Sequence, residues 1–149
     1  MLTRTAIAAT CFLVAGTALA EEPLIDRTDD PALRIAINNA HHEMAACVAF
    51  YTIGSEGVRR RDPSDQLITT LEQARTKLLT TMLQLHHPDV TQARIAMEFG
   101  SQMKRMREDF SNFSLLLLEH AEPCKTIAQD PRGVIERRYL SELAKEQNK

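Results

Sequence analysis

The chain has 149 residues, enough for one domain of ordinary size and short for two. Hydrophobic residues make up 44% and charged residues 26%, a globular composition rather than a disordered or membrane-embedded one. The net charge of −2 gives no electrostatic basis for binding nucleic acid, and with no Trp, two Tyr and five Phe there is little material for aromatic stacking platforms.

Residues 1–20 read as an address. Arg4 supplies a short positive start, Ile7 to Ala15 an apolar run, and Ala18-Leu19-Ala20 the small residues a signal peptidase reads. Cleavage is expected after Ala20. The run is too short for a comfortable membrane span of about 20 residues, so no transmembrane anchor is expected in the mature chain. That chain, Glu21 to Lys149, has 129 residues and a net charge of −3. Residues 21–30 are expected to be a flexible lead-in, and residues 31–149 a single helical domain. Export implies a secreted protein, periplasmic if the source is a Gram-negative bacterium.

Loss of the leader removes Cys11 and leaves Cys47 and Cys124. Two thiols in an oxidising compartment pair by default, so a Cys47–Cys124 disulfide is expected. No C-x-x-C redox motif is present.

Prolines divide the mature chain into helical segments. The first is expected over about residues 31–55, with Asp29 or Asp30 as cap and Pro31 in its first turn. Leu33, Ile37, Ala40, Met44, Cys47 and Tyr51 recur at three-four spacing and form its inward stripe, with Arg34, Asn38 and Asn39 opposite. Gly54 and Gly57 are read as its stop. The second is expected over about residues 63–87, capped by Asp62, with Leu67, Leu71, Ala74, Leu78, Met82 and Leu85 inward. The third runs from about Asp89 to Ala121 on a stripe of Met103, Met106, Phe110, Phe113, Leu117 and His120, with an expected break at Gly100-Ser101. The fourth spans about residues 131–146, with Ile135, Tyr139, Leu140 and Leu143 inward. No segment alternates with period two, and no Asn-Gly or Asp-Gly hairpin occurs. The fold class is therefore all-α: an up-down antiparallel four-helix bundle with one disulfide.

That arrangement contains a conflict. Helices one and three of such a bundle run the same way. Cys47 lies about 24 Å along the first helix, and Cys124 would lie about 52 Å along a straight third one. A disulfide needs Cα atoms within about 7 Å. The expected break at Gly100-Ser101 is the way out.

Chemistry-bearing residues are few. His41 and Met44 share a face of the first helix, and His120 lies about one turn before Cys124. Joining the cysteines would bring the three into neighbouring layers, where a His/Met set could ligate haem iron or copper. The plainer reading is a hydrogen-bonded core histidine beside a gap-filling methionine. His86 and His87, before Pro88, read as helix-end residues suited to the local dipole. No H-E-x-x-H, Gly-rich phosphate loop or matched carboxylate pair occurs. Cofactors are not expected beyond that haem or copper alternative. Leu115 to Leu118 exceeds a single buried stripe, so Leu115, Leu116 and Leu118 are read as a contact surface for a partner protein or a second copy. Arg59, Arg60 and Arg61 form a basic loop suited to an acidic partner. The reading is an exported, non-enzymatic protein-binding or structural module.

Overall fold

The computed structural model describes residues 21–147, so the expected leader lies outside them. Among the described residues the chain is all-helical: α1 Pro31–Arg61, α2 Gln66–Leu85, α3 Pro88–Arg105, α4 Ser114–Gln129 and α5 Pro131–Gln147, with a single 3-10 turn at Phe110–Asn112. Five helices stand where four were expected, because the expected third is two.

α1 organises the rest, since each of the other four helices packs against it. Its cap is Asp30, whose Oδ1 accepts from Ala32 N at 2.9 Å and Leu33 N at 3.2 Å. Ile37, Ala40, His41, Met44, Ala45, Ala49 and Ile53 are all 0% exposed. Successive residues of a helix point about 100° apart, so these positions span more than half of its circumference, and exposed Ile35, Asn39 and His42 mark the strip left to solvent in its first half. A helix covered over so much of its surface needs small residues where neighbours cross close, which is what Ala36, Ala40, Ala45 and Ala49 provide.

The contacts give the directions. α2 runs antiparallel to α1: Leu71 faces Gly54, and His86 bonds Asn38. α3 runs parallel to it: Arg94 bonds Asn38, and Gln102 bonds the Ala46 carbonyl. α4 runs antiparallel again: Phe113 faces Gly54, and Cys124 is bonded to Cys47 with Cα atoms 5.2 Å apart. The conflict over the disulfide is thus resolved by a reversal of the chain between α3 and α4.

The break is real, but it lies beyond Gly100-Ser101, which are interior to α3. Nothing stands within 4 Å of where a Cβ on Gly100 would be. The reversal comes at residues 106–113. Arg107 N bonds Lys104 O and Glu108 N bonds Met103 O, both at 2.9 Å, the paired closure of a Schellman end. Arg107 and Glu108 sit at φ 54° and 58°, left-handed conformations that glycine adopts without cost and these residues do not. Buried Met106, the Asn112 side chain on the Met106 carbonyl (3.0 Å) and Asp109 capping the 3-10 turn hold the chain there.

The same reversal explains the two glycines of α1. They do not stop the helix, which continues to Arg61. A Cβ on Gly54 would stand 3.0 Å from Phe113 Cζ, and one on Gly57 would stand 3.4 Å from Phe110 Cδ1. The glycines are seats for the two rings of the turn, and Phe113 stacks further on Phe50 at 5.4 Å.

Other boundaries shift for local reasons. Asp62 ends α1 instead of starting α2, its carboxylate accepting from Ser64, and Asp65 is the cap of α2. Ile68 is buried and Leu67 is exposed. Pro123 lies inside α4. Leu117 and Leu140 face solvent, and Leu116 and Val134 face inward. The lead-in is bound: Leu24 N and Ile25 N donate to the Gln84 and Leu85 carbonyls, the last of α2, and Ile25 is buried in the common core. Those carbonyls have no helical partner, so the strap completes the helix end.

Two outcomes test this account. Gly100→Ala should raise stability by about 1 kcal/mol, because it removes an unfavourable helix residue in open space, while Gly54→Ala should show no such gain, because Phe113 occupies the site. Reduction of Cys47–Cys124, which closes a loop of 77 residues, should cost about 4 kcal/mol on a chain-entropy basis. Urea unfolding reads both, with an unchanged slope for the glycine variants and a steeper one for the reduced protein, whose unfolded chain is more open.

Candidate functional site

The most elaborate set of polar side chains lies where the start of α3 crosses α1. His41 is fully buried. Arg94 Nη1 donates to its Nδ1 at 2.9 Å, and its Nε2 lies 3.0 Å from Thr91 Oγ1. A guanidinium has only donors, so Nδ1 must accept and Nε2–H donates to Thr91. The tautomer is fixed, and the ring is neutral. Arg94 also donates through Nη2 to Asn38 Oδ1 (2.9 Å) and through Nη1 to the Asn38 carbonyl (3.3 Å). His86 Nε2 donates to the same Asn38 Oδ1 at 3.0 Å, its ring 4.7 Å from that of His41.

Burial, reinforced by the positive fields of His86, Arg94 and His42, depresses the His41 pKa from 6.5 to about 3. Burial and Arg94 lower His86 as well, against a partial counter-effect from Asp26. Further along α3, Glu98 faces His42 at 3.6 Å, and Gln102 Nε2 donates to the Ala46 carbonyl at 2.8 Å. Thr91, Arg94, Glu98 and Gln102 thus form a stripe at three-four spacing that meets α1 with polar groups at every turn.

Sequence reasoning missed most of this group. It set Asn38 on a wet face, treated His86 as a helix end, and passed over Thr91 and Arg94. The only signal was the regular spacing of polar residues, which also describes a solvated face.

The structure does not assemble the expected ligand layer of His41, Met44 and His120. Both ring nitrogens of His41 are engaged. Met44 is buried in the apolar core. His120 packs on Phe50, ring centroids 5.8 Å apart, and Phe50 lies nine residues and about 13 Å along α1 from His41. His120 Nε2 is buried without a hydrogen-bond partner, and burial lowers its pKa against the opposing pull of Glu119. Among the described residues, no group of three or more His, Cys, Asp or Glu is placed to hold a metal ion.

The expected contact residues divide. Leu116 is 0% exposed and belongs to the core, the correction to its place in the contact surface. Leu115 and Leu118 are 51% and 91% exposed and are joined by Leu117 at 45%. The buried stripe Leu116–Cys124–Ile127 faces α1, so Leu118 points directly away from the core and the other two flank it. The arginines are largely committed internally. Arg59 pairs with Glu56 and Glu72, and Arg60 pairs with Glu56 and lies over the Phe110 ring at 4.3 Å. Arg61 is exposed beside Asp62.

A groove of about 900 Å³ separates the second half of α2 from α5, with the lead-in at one end. Leu24, Leu33, Leu85 and Ile135 line it, and Arg27, Arg132 and Glu136 stand around it. The rim carries both charge signs, and Arg27 is paired with Glu21 at 2.7 Å. Compared with protein-family models, with curated proteins and with solved structures, the chain matches none.

The histidines make stability depend on pH. The folded-state pKa of His41 lies below its unfolded value of 6.5, so the unfolded chain takes up the proton first. Stability is complete above pH 6.5 and falls as pH drops toward about 3, by about 1.4 kcal/mol per pH unit for one such group. His86 and His120 add in the same direction. Urea midpoints at pH 7.5 and 5.0 should show this loss, and His41→Gln should flatten the slope.

Proposed function

We propose that this chain is an exported, non-enzymatic helical module that binds a partner protein through the outer face of α4, in the periplasm of a Gram-negative cell or outside the cell. The observation that carries the reading is Leu118, 91% exposed between Leu115 and Leu117 on a helix crosslinked to the core one and a half turns further on. Exposed leucines gathered on one rigid helix form an apolar surface that association would cover. The Cys47–Cys124 bond supports an oxidising compartment, the expected destination of a chain cleaved after Ala20. His41 spends both nitrogens on holding α3, so it has no basic nitrogen free to activate a nucleophile, and this favours binding over catalysis.

Photo-crosslinkers placed at position 118 and, as a control, at exposed Gln73 test the surface in the native compartment. A discrete product is expected from position 118 and not from 73. Leu115→Asp should abolish it while leaving the helical signal and the urea midpoint unchanged. If the product is a second copy, sedimentation of the purified protein should show a dimer that Leu118→Asp dissociates. Equal crosslinking from both positions, or none from 118, would overturn the proposal.

A further inference from the structure

The way α3 is attached differs from the way its neighbours are. Its two buried side chains are Thr91 and Gln102, both polar. Ile95, Phe99 and Met103 reach the core only at its margin. α2 by contrast buries Ile68, Leu78, Met82 and Leu85, and α4 buries Leu116, Cys124 and Ile127. Docking through hydrogen bonds is worth less than docking through buried apolar area, and it depends on the protonation state of the groups that make it.

The charges at the first two turns of α3 fit only one protonation state. Arg94 is a permanent cation, and its guanidinium is satisfied by three acceptors: His41 Nδ1, Asn38 Oδ1 and the Asn38 carbonyl. A proton on His41 Nδ1 turns the 2.9 Å contact into a donor facing a donor, and sets an imidazolium against a guanidinium. Protonated His86, 4.7 Å away, would add a third cation. The other groups facing the cluster do not compensate. From α1 they are Asn38 and His42, from the α2–α3 corner His86 and His87, and from α3 Thr91. From the lead-in comes Asp26, the only carboxylate, and it is bonded to His87 at 2.7 Å. Further along the outcome differs: the Gln102–Ala46 bond has no titratable partner. Acid therefore loosens the first half of α3 and spares the second.

We propose that residues 88–97 form an acid-released clasp, which lifts from α1 as a unit while the Glu98 and Gln102 contacts and the disulfide keep the rest of the fold in place. The clasp is independent of the leucine face of α4. An imidazole that must be neutral when closed and is free to titrate near 6.5 when open shifts the opening equilibrium about a hundredfold between pH 7.5 and 4.5.

Hydrogen exchange of the disulfide-bonded protein, corrected for intrinsic rates, tests this at the two pH values and in 0 to about 1 M urea, where exchange through a local opening is nearly independent of denaturant and exchange through global unfolding is not. At pH 4.5, amides of residues 88–97 should have lost tenfold or more of their protection and should be nearly insensitive to urea. Those of α1 and α4 should exchange more slowly and accelerate steeply with urea. His41→Gln, which keeps an acceptor for Arg94 and a donor for Thr91, should abolish the acid loss at residues 88–97. Should that variant not fold, imidazole titration of the wild type by NMR gives the same answer: His41 protonation should coincide with shifts at residues 88–97 and at their contacts around Asn38, His41 and His86, with α4 and α5 unchanged. Protection at residues 88–97 that stays constant, that matches α1 in level and urea dependence, or that is still lost in His41→Gln would overturn the clasp, as would His41 protonation with shifts spread through every helix.

Discussion

The central place of α1, against which each of the other four helices packs, is the constraint from which the other features follow. Most of the surface of α1 is covered, so each buried position along it must suit whichever neighbour crosses there. Where α2 and the α3–α4 turn approach closely, the residue is Gly54 or Gly57. Where α3 crosses with polar side chains, α1 answers with Asn38, His41 and the Ala46 carbonyl. Where α4 crosses, it offers Phe50 and Cys47. The sides of one helix thus meet three kinds of surface, and the differences in how firmly the outer helices are held begin there.

The reversal at residues 106–113 is the device that allows so short a chain to enclose a helix of 31 residues. A continuous third helix would run past the end of α1 and leave Cys124 far from Cys47. Folding back lets α4 descend along α1, so the two cysteines come level. The turn places two non-glycine residues in left-handed conformations, a local cost of roughly a kcal/mol each. It is offset by the fit of Phe110 and Phe113 onto the glycines, the burial of Met106, and the covalent anchor further along α4.

Polar and apolar docking divide the molecule. The α2 and α4 interfaces rest mainly on buried apolar side chains, with His120 set on Phe50 in the α4 contact. The α3 interface rests on a neutral histidine accepting from an arginine. The outer surface of α4 carries Leu115, Leu117 and Leu118, and of the three Leu118 is the most exposed. The exposed leucines of α4 and the polar inner face of α3 therefore lie on opposite arms of the same hairpin.

How much of this could be read in advance depends on what each signal measures. Helix identity was legible because proline and aspartate act locally: Asp30 with Pro31 opens α1, and Pro131 opens α5, as expected. The cysteine pairing was legible by elimination once the leader was set aside. Hydrophobic periodicity measures contrast between faces, so it failed where there is none. Asn38 looks solvated because it is polar, yet Arg94 and His86 cover it. The stripe from Thr91 to Gln102 looks wet for the same reason. The break was placed at Gly100 because glycine is the usual residue for leaving a helix, but a Schellman end built on Arg107 has no such mark. By itself the sequence determined the helical class, the Asp30–Pro31 start of α1 and the crosslink, all set by neighbours in the chain or by residue count. Only the tertiary structure decided the direction of α4, the partners of His41 and which leucines face water, because those depend on which helices cross where, a property of contacts between segments far apart in the chain.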